Sequence, residues 1–264
     1  MAKFALIEVG LWDVPRNEIQ AETPEIYREN RRHTIPGYCV LIQDEKLGNV
    51  LWDTGITADW EATWTEQFKR DYTFHRLNSL KDKLAELALT VDDIDLLICS
   101  HLHYDHAGNI KLFQNTKAGR KILISEGEAH EAFVKVALSP DGISGAYFRD
   151  EIIMDGIGYE TISEDTWISD DIFLFIQKGH TPGVIGMVVK TRENGNFLFP
   201  SDAVYSKLNF GPPIVLPGLC VDPEAYKANV ARLNQMKEEY HAEIVFGHDV
   251  EDFKRWKLSP YYYE

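Results

Sequence analysis

The apolar run Ile94–Cys99 leads directly into Ser100-His-Leu-His-Tyr-Asp-His-Ala-Gly-Asn109, which sets His101, His103, Asp105 and His106 almost side by side. A buried strand that delivers three imidazoles and a carboxylate at its end points to a fold in which strand ends meet at one polar edge of a sheet. Other apolar runs end the same way: Val50–Trp52 in Asp53, Asn196–Phe199 in Pro200-Ser201-Asp202, and Ala242–Phe246 in Gly247-His248. The run Asp171–Gln177 stops just short of Gly179-His180. Residues two apart in an extended segment point the same way, so His101 and His103 can reach one ion together. Asp105 and His106 come after the chain turns and face a second ion close by. Each ion needs further ligands, since zinc usually takes four or five. His180, Asp202 and His248 are the candidates, and a carboxylate such as Asp202 can bridge ions about 3.5–4 Å apart. Neutral imidazoles and two aspartates would leave a two-ion centre mildly positive, which lowers the pKa of a bound water. His33, His75, His130 and His241 stand apart from these strand ends and read as surface or satisfied residues.

The remaining pattern is that of a mixed α/β protein. Lys3–Val9 reads as a strand, and Tyr38–Gln43 and Val50–Asp53 as a hairpin around Lys46-Leu-Gly-Asn49. Residues 11–36, with three prolines, read as a long irregular segment of the kind that carries function. Helical spacing marks Ser79–Leu89 and Glu126–Ala137, and Asp222-Pro223 is a helix start with an acidic cap. Lys121–Ser125 is a further strand, and Gly186–Lys190 pairs with Asn196–Phe199 across Glu193-Asn-Gly-Asn196. No repeat, low-complexity tract or linker divides the 264 residues, so residues 1–264 are expected to form a single domain with a sizeable core. The formal net charge of −15 argues against nucleic acid or an anionic membrane as partner. Cys39, Cys99 and Cys220 are odd in number and far apart, which suits a reducing compartment and argues against a cysteine zinc site. The apolar run at the start is too short for a signal peptide, and no stretch approaches a membrane span. A cytoplasmic location is expected.

His101-Leu-His103-Tyr-Asp105-His106 resembles the signature of the metallo-β-lactamase superfamily, and Leu51-Trp-Asp53-Thr-Gly55 is similar to its upstream Asp-Thr-Gly element. His180, Asp202 and His248 follow in the family's order. The resemblance implies an αβ/βα sandwich of four layers, two mixed sheets flanked by helices, with a dinuclear site between them. It also implies His101, His103 and His180 on one divalent metal and Asp105, His106 and His248 on the other, with Asp202 bridging. Zinc is the expected metal, with iron, manganese and cobalt as alternatives. Asp53 is expected to orient a ligand rather than bind metal.

Fold alone does not choose a chemistry. The main zinc β-lactamases carry cysteine where Asp202 stands, and the di-iron branch usually has glutamate where His103 stands. Glyoxalase II-like thioesterases share the ligand types but add a helical substrate domain, and only 16 residues follow His248. Asp202-Ala-Val-Tyr205 resembles the Asp-x-x-Tyr of N-acyl-homoserine lactonases, and the ending His248-Asp-Val-Glu-Asp-Phe253, closing on Pro260-Tyr-Tyr-Tyr-Glu264, resembles that family and the related 4-pyridoxolactonase. The resemblance therefore implies opening of a lactone ring, first of all that of an N-acyl-homoserine lactone (quorum quenching), by a metal-bridging hydroxide. Tyr205 would steady the oxyanion and Asp105 would return a proton to the leaving alkoxide. Trp12, Ile19, Tyr27, Tyr147 and Phe148 are candidates to line the acyl groove. Two departures stand out: Val184 where a histidine is usual, and Asn109 where glycine is usual. The alternatives are another ester, thioester or lactone hydrolase of the same fold and, in a different class, a non-catalytic metal-binding member. Metal analysis separates the last from the rest. Oligomeric state, monomer or homodimer, stays open.

Overall fold

The computed structural model describes residues 1–21 and 32–264. Fourteen strands, β1 (Lys3–Pro15), β2 (Arg32–Asp44), β3 (Gly48–Trp52), β4 (Thr73–Leu77), β5 (Leu96–Ile98), β6 (Ile122–Ser125), β7 (Ile143–Ser144), β8 (Tyr147–Phe148), β9 (Tyr159–Ile162), β10 (Thr166–Trp167), β11 (Ile172–Gln177), β12 (Val184–Lys190), β13 (Asn196–Phe199) and β14 (Ala242–Ile244), are found among the described residues. They form a seven-stranded sheet in the order β4-β1-β2-β3-β5-β6-β9, a five-stranded sheet β10-β11-β12-β13-β14, and the small pair β7-β8. Both large sheets are mixed. β3, β5, β6 and β9 run parallel to one another, and β14 runs parallel to β13, while the remaining pairs are antiparallel.

Strict alternation along the strands builds the layers, because successive side chains of a strand point to opposite faces. Phe4, Leu6, Val40, Ile42, Val50 and Trp52 meet Ile185, Met187, Val189, Phe197 and Phe199 between the two sheets. Their neighbours Ile7, Leu41 and Leu51 face outward onto Leu80 and Leu84 of the helix Leu80–Glu86 and Ala132 and Val136 of the helix Glu126–Leu138. On the far side, Val188 and Leu198 pack on Tyr226, Val230 and Leu233 of the helix Pro223–Glu239, capped by Asp222. The order helix, sheet, sheet, helix is the expected αβ/βα sandwich. No helix among the described residues is long and apolar enough to cross a membrane.

One expectation fails. Residues 11–15 and 32–36, expected to be irregular, are strand: β1 continues to Pro15 and β2 already begins at Arg32, paired in register from Leu11↔Pro36 to Pro15↔Arg32. Gly10, Asp13 and the prolines masked the alternation. Trp12 and Val14 are buried, whereas Leu11, Asp13 and Pro15 are only partly so, as in a half-exposed ribbon. A register shift between Glu8 and Gly10 re-aims the outer part of the ribbon toward the strand ends. There Trp12, Trp64, Tyr72, Tyr104, Phe148 and Tyr205 share one buried cluster.

Glu151 lies buried beneath this cluster, and neither of its carboxyl oxygens has a hydrogen-bond partner of good geometry. Burial pushes its pKa up to about 8, and the Trp64 indole and Lys111 offset this only in part. In the unfolded chain it is an ordinary acid near 4.5, so protonation favours the folded state. That contribution is complete below about pH 4.5 and is lost as the pH rises through about 8. Urea midpoints followed from pH 5 to 9 are expected to fall with a component of up to about 1.4 kcal/mol per pH unit, which Glu151→Gln should remove.

Candidate metal centre

The strand ends place their polar side chains in two adjoining groups. In the first, His101 Nε2, His103 Nδ1 and His180 Nε2 lie 3.0–3.2 Å from one another. In the second, His106 Nε2 and His248 Nε2 are each 3.1 Å from Asp202 Oδ1, and 3.6 and 3.5 Å from Asp105 Oδ2. Asp202 turns its other oxygen, Oδ2, toward the first group, 3.7 Å from His101 Nε2 and 3.4 Å from His180 Nε2. One carboxylate thus presents an oxygen to each group, the arrangement required of a bridge between two ions.

The hydrogen bonds behind the rings settle which nitrogen faces the centre. His106 Nδ1 is 2.8 Å from Asp53 Oδ2, His101 Nδ1 is 3.1 Å from Ser100 Oγ, His180 Nδ1 is 3.1 Å from the Leu219 carbonyl, and His248 Nδ1 is 2.9 Å from the Pro36 carbonyl. In each case Nδ1–H donates outward and leaves the Nε2 lone pair directed inward. His103 alone turns Nδ1 inward, with its ring against Tyr147 at 4.6 Å between centroids. Lone pairs gathered at these distances repel unless a cation lies among them. His106 Nε2 and Asp202 Oδ1, buried and 3.1 Å apart, are also without a hydrogen-bond partner of good geometry, as atoms aimed at a shared cation would be. The donor set, imidazole nitrogen with carboxylate oxygen, fits divalent zinc, iron, manganese or cobalt.

Electrostatics separates the two groups. Burial, reinforced by the neighbouring imidazoles, holds His101 and His103 well below the usual histidine range, and burial also lowers His180. Burial works in the same direction on His106 and His248, but the carboxylates, Asp202 foremost, outweigh it and raise both. Burial by itself would raise Asp202, and His248 with His106 keeps it well below the carboxylate range. The first group is therefore a neutral three-nitrogen face, and the second is an acidic pocket that calls for positive charge.

Asp53 holds the second group from behind. It sits at the end of β3 with φ +65°, a conformation that costs a non-glycine residue and recurs at functional sites. Its Oδ1 accepts the Ser100 N–H at 2.6 Å and its Oδ2 the Ser100 hydroxyl at 2.8 Å, beside the His106 ring. Ser201, also at positive φ, donates its hydroxyl to Ser100 Oγ at 2.9 Å and so ties β13 to β5. Asn109 gains a purpose where a glycine is usual: its side-chain amide donates to the carbonyls of Thr54 and Ile56, at 2.9 and 2.6 Å. Val184 lies buried at the start of β12, opposite Gln177.

Tyr205 is buried with its hydroxyl 2.9 Å from His180 Nδ1 and its ring 5.4 Å from that of His248. Burial and the nearby Asp202 and Asp105 raise its pKa well above 10, so the phenol keeps its proton. Of the expected groove residues, Ile19 lines the tight space shared by Asp105, His180, Asp202 and Tyr205. Tyr147 lines the adjoining cleft of about 240 Å³, which reaches His103 and His180 and is walled by Gly218–Val221. Trp12 and Phe148 line neither space; they belong to the buried aromatic cluster, because both lie on inward-facing strand positions. Tyr27 lies outside the described residues.

Several supporting groups escaped the sequence. The Pro36 and Leu219 carbonyls have no side-chain signature. Glu128 had one: Ser125 and Glu128 have the spacing of a capping box, and Ser125 Oγ does accept the Glu128 N–H at 3.1 Å. The Glu128 carboxylate instead accepts the Leu102 N–H at 2.8 Å and so fixes the backbone between His101 and His103. Asp53→Ala should leave His106 free to rotate and lower metal affinity about 10- to 100-fold. Chelator competition on the purified variant measures this.

A family model described as the metallo-beta-lactamase superfamily matches residues 34–248. The N-acyl homoserine lactonase AiiB of Agrobacterium fabrum is 29% identical over 268 aligned positions, covering 95% of either chain. AiiA of Bacillus thuringiensis subsp. kurstaki, also an N-acyl homoserine lactonase, is 27% identical over 235, covering 86% of this chain and 87% of its own. Among solved structures, an N-acyl homoserine lactone hydrolase with the product N-hexanoyl-L-homoserine at its catalytic metal centre superposes with a TM-score of 0.82 at 26% identity. It covers 99% of this chain and 98% of that one. With the matched segment running from the β1–β2 ribbon to His248 and enclosing every residue of the two ligand groups, this chain belongs to the metallo-beta-lactamase superfamily.

Proposed function

We propose that this protein is a dinuclear zinc hydrolase that opens the ring of a lactone, with N-acyl homoserine lactones as the first substrates to consider. The observation that carries this reading is the Asp202 carboxylate set between the two ligand groups with the Tyr205 hydroxyl beside them. Similarity to N-acyl homoserine lactonases along nearly the whole chain supports the substrate class. His101, His103 and His180 would hold one ion and Asp105, His106 and His248 the other, with Asp202 shared. Two such ions supply Lewis acidity toward a carbonyl and a hydroxide nucleophile at neutral pH.

The chain's own groups do the rest. With His180 Nε2 reserved for an ion, its Nδ1–H is shared between the Leu219 carbonyl and the Tyr205 oxygen. The phenol proton is then free to turn into the pocket and donate to the carbonyl oxygen as negative charge develops there. Asp105 borders the same space and would take the proton released by the attacking nucleophile and pass it to the ring oxygen as it leaves. Asp53, Ser100 and Ser201 keep the rings in place, so the electrostatic work needs little reorganisation.

The test is a hydrolysis panel on protein loaded with two equivalents of zinc, pairing N-acyl homoserine lactones of several chain lengths with 4-pyridoxolactone, an aryl ester and a thioester. Turnover confined to the thioester would sink the lactonase reading. Tyr205→Phe is expected to keep its metal content and lose about 100-fold in kcat/KM, the cost of one oxyanion donor. Unchanged turnover would remove Tyr205 from the mechanism.

A further inference from the structure

One acidic side chain borders the reaction space without belonging to either ligand group. Glu18, on the short helix Arg16–Ile19, lines the same tight space as Asp105, His180, Asp202 and Tyr205. Its position is built into the backbone. The Glu18 carbonyl accepts the N–H groups of Gly218 and Leu219 at 3.1 and 3.4 Å, and the Leu219 carbonyl in turn receives His180 Nδ1. Any Cβ at Gly218 would collide with the Asn17 carbonyl oxygen, so glycine is what lets the helix dock at this depth. The helix and the first ligand group are therefore held by the same two residues, Gly218 and Leu219.

The carboxyl of Glu18 is only half provided for. Oε1 accepts the Tyr72 hydroxyl at 2.9 Å, and among the described residues no hydrogen bond to the other oxygen is seen. Tyr72 is itself wedged against Tyr104 and Trp64, at 5.4 and 5.8 Å between centroids, so the phenol cannot be drawn far away. Burial raises the pKa of Glu18 to about 7. Glu18 is only partly buried, so a ligand that displaces water from its second oxygen has to supply a donor there or leave that oxygen unpaired.

We propose that Glu18 is a specificity-determining residue whose free oxygen takes an N–H or O–H donor carried on the lactone ring. This rests on the lactonase reading and adds to it a preference for amido- or hydroxy-substituted lactones over plain alkyl lactones. A site that hydrogen-bonds a substrate group discriminates against an analogue lacking it far more than an apolar pocket discriminates by size.

The test compares kcat/KM of the zinc-loaded enzyme for N-hexanoyl homoserine lactone and for the same molecule with CH2 in place of N–H. The wild-type ratio is expected to be about 10- to 100-fold in favour of the N–H compound. Glu18→Leu should bring the ratio close to one, and Glu18→Gln, which keeps size and one acceptor, should leave it intermediate. Tyr72→Phe, which removes the internal partner but not the carboxyl, should preserve it. A wild-type ratio near one, or a ratio indifferent to Glu18→Leu, overturns the assignment alone. Collapse of the ratio in Tyr72→Phe also overturns it, since Glu18 would then act only as a prop for Tyr72. A wild-type enzyme that opens neither compound overturns this inference, and one that opens no lactone of the wider panel overturns the lactonase reading with it.

Discussion

Asp202 is the side chain on which the arrangement turns. Its two oxygens lie 3.1 Å from a pair of imidazole nitrogens on one side and 3.4–3.7 Å from another pair on the other. Atoms that all carry lone pairs are crowded together in a space from which water is largely excluded, which is favourable only with positive charge between them. Such crowding needs a support that does not relax. The strand ends provide it, because β3, β5 and β13 lie inside two sheets whose faces are both covered and β14 is paired to β13 at the edge.

Support continues behind the ligand atoms. Asp53 and Ser100 join β3 to β5, Ser201 joins β13 to both, and the Pro36 and Leu219 carbonyls anchor the rings of His248 and His180. Residues at positive φ, Asp53 and Ser201 among them, fall at these junctions. Local strain there is held in place by the sheets. The aromatic cluster of Trp12, Trp64 and Tyr104 packs at the same end of the sandwich, where the cleft beside Tyr147 and the space beside Glu18 both border the centre.

Much of this was legible residue by residue. The run Ile94–Cys99 followed by His101, His103, Asp105 and His106 announced a metal site, since no ordinary turn requires that composition. The strand after Lys121 and the helix capped by Asp222 were also readable, because a short apolar run and a capping residue are local signals, whereas β7 to β10 gave none. The ribbon formed by residues 11–15 and 32–36 was not readable. Its outer half is exposed on one face and interrupted by glycine and proline, so its pairing comes from register with a partner rather than from its own pattern. The candidate groove residues divided for a similar reason: Tyr147 and Ile19 border open space, while Trp12 and Phe148 face inward, and sequence gives no sign of which way a loop aromatic will turn.

By itself the amino-acid order determined the kind of chemistry: which side chains can hold metal, their order along the chain, and the β/α pattern that carries them. Only the tertiary structure decided how His180, Asp202 and His248, far apart in sequence, come within a few ångströms of the 101–106 segment, and which nitrogen of each ring faces inward. It alone also brought Glu18 to the pocket. The physical reason is that these facts depend on backbone carbonyls, on strand register and on close approaches such as that at Gly218, and none of them is written in side-chain type. A sequence states what donors a chain owns, and packing states where their lone pairs point.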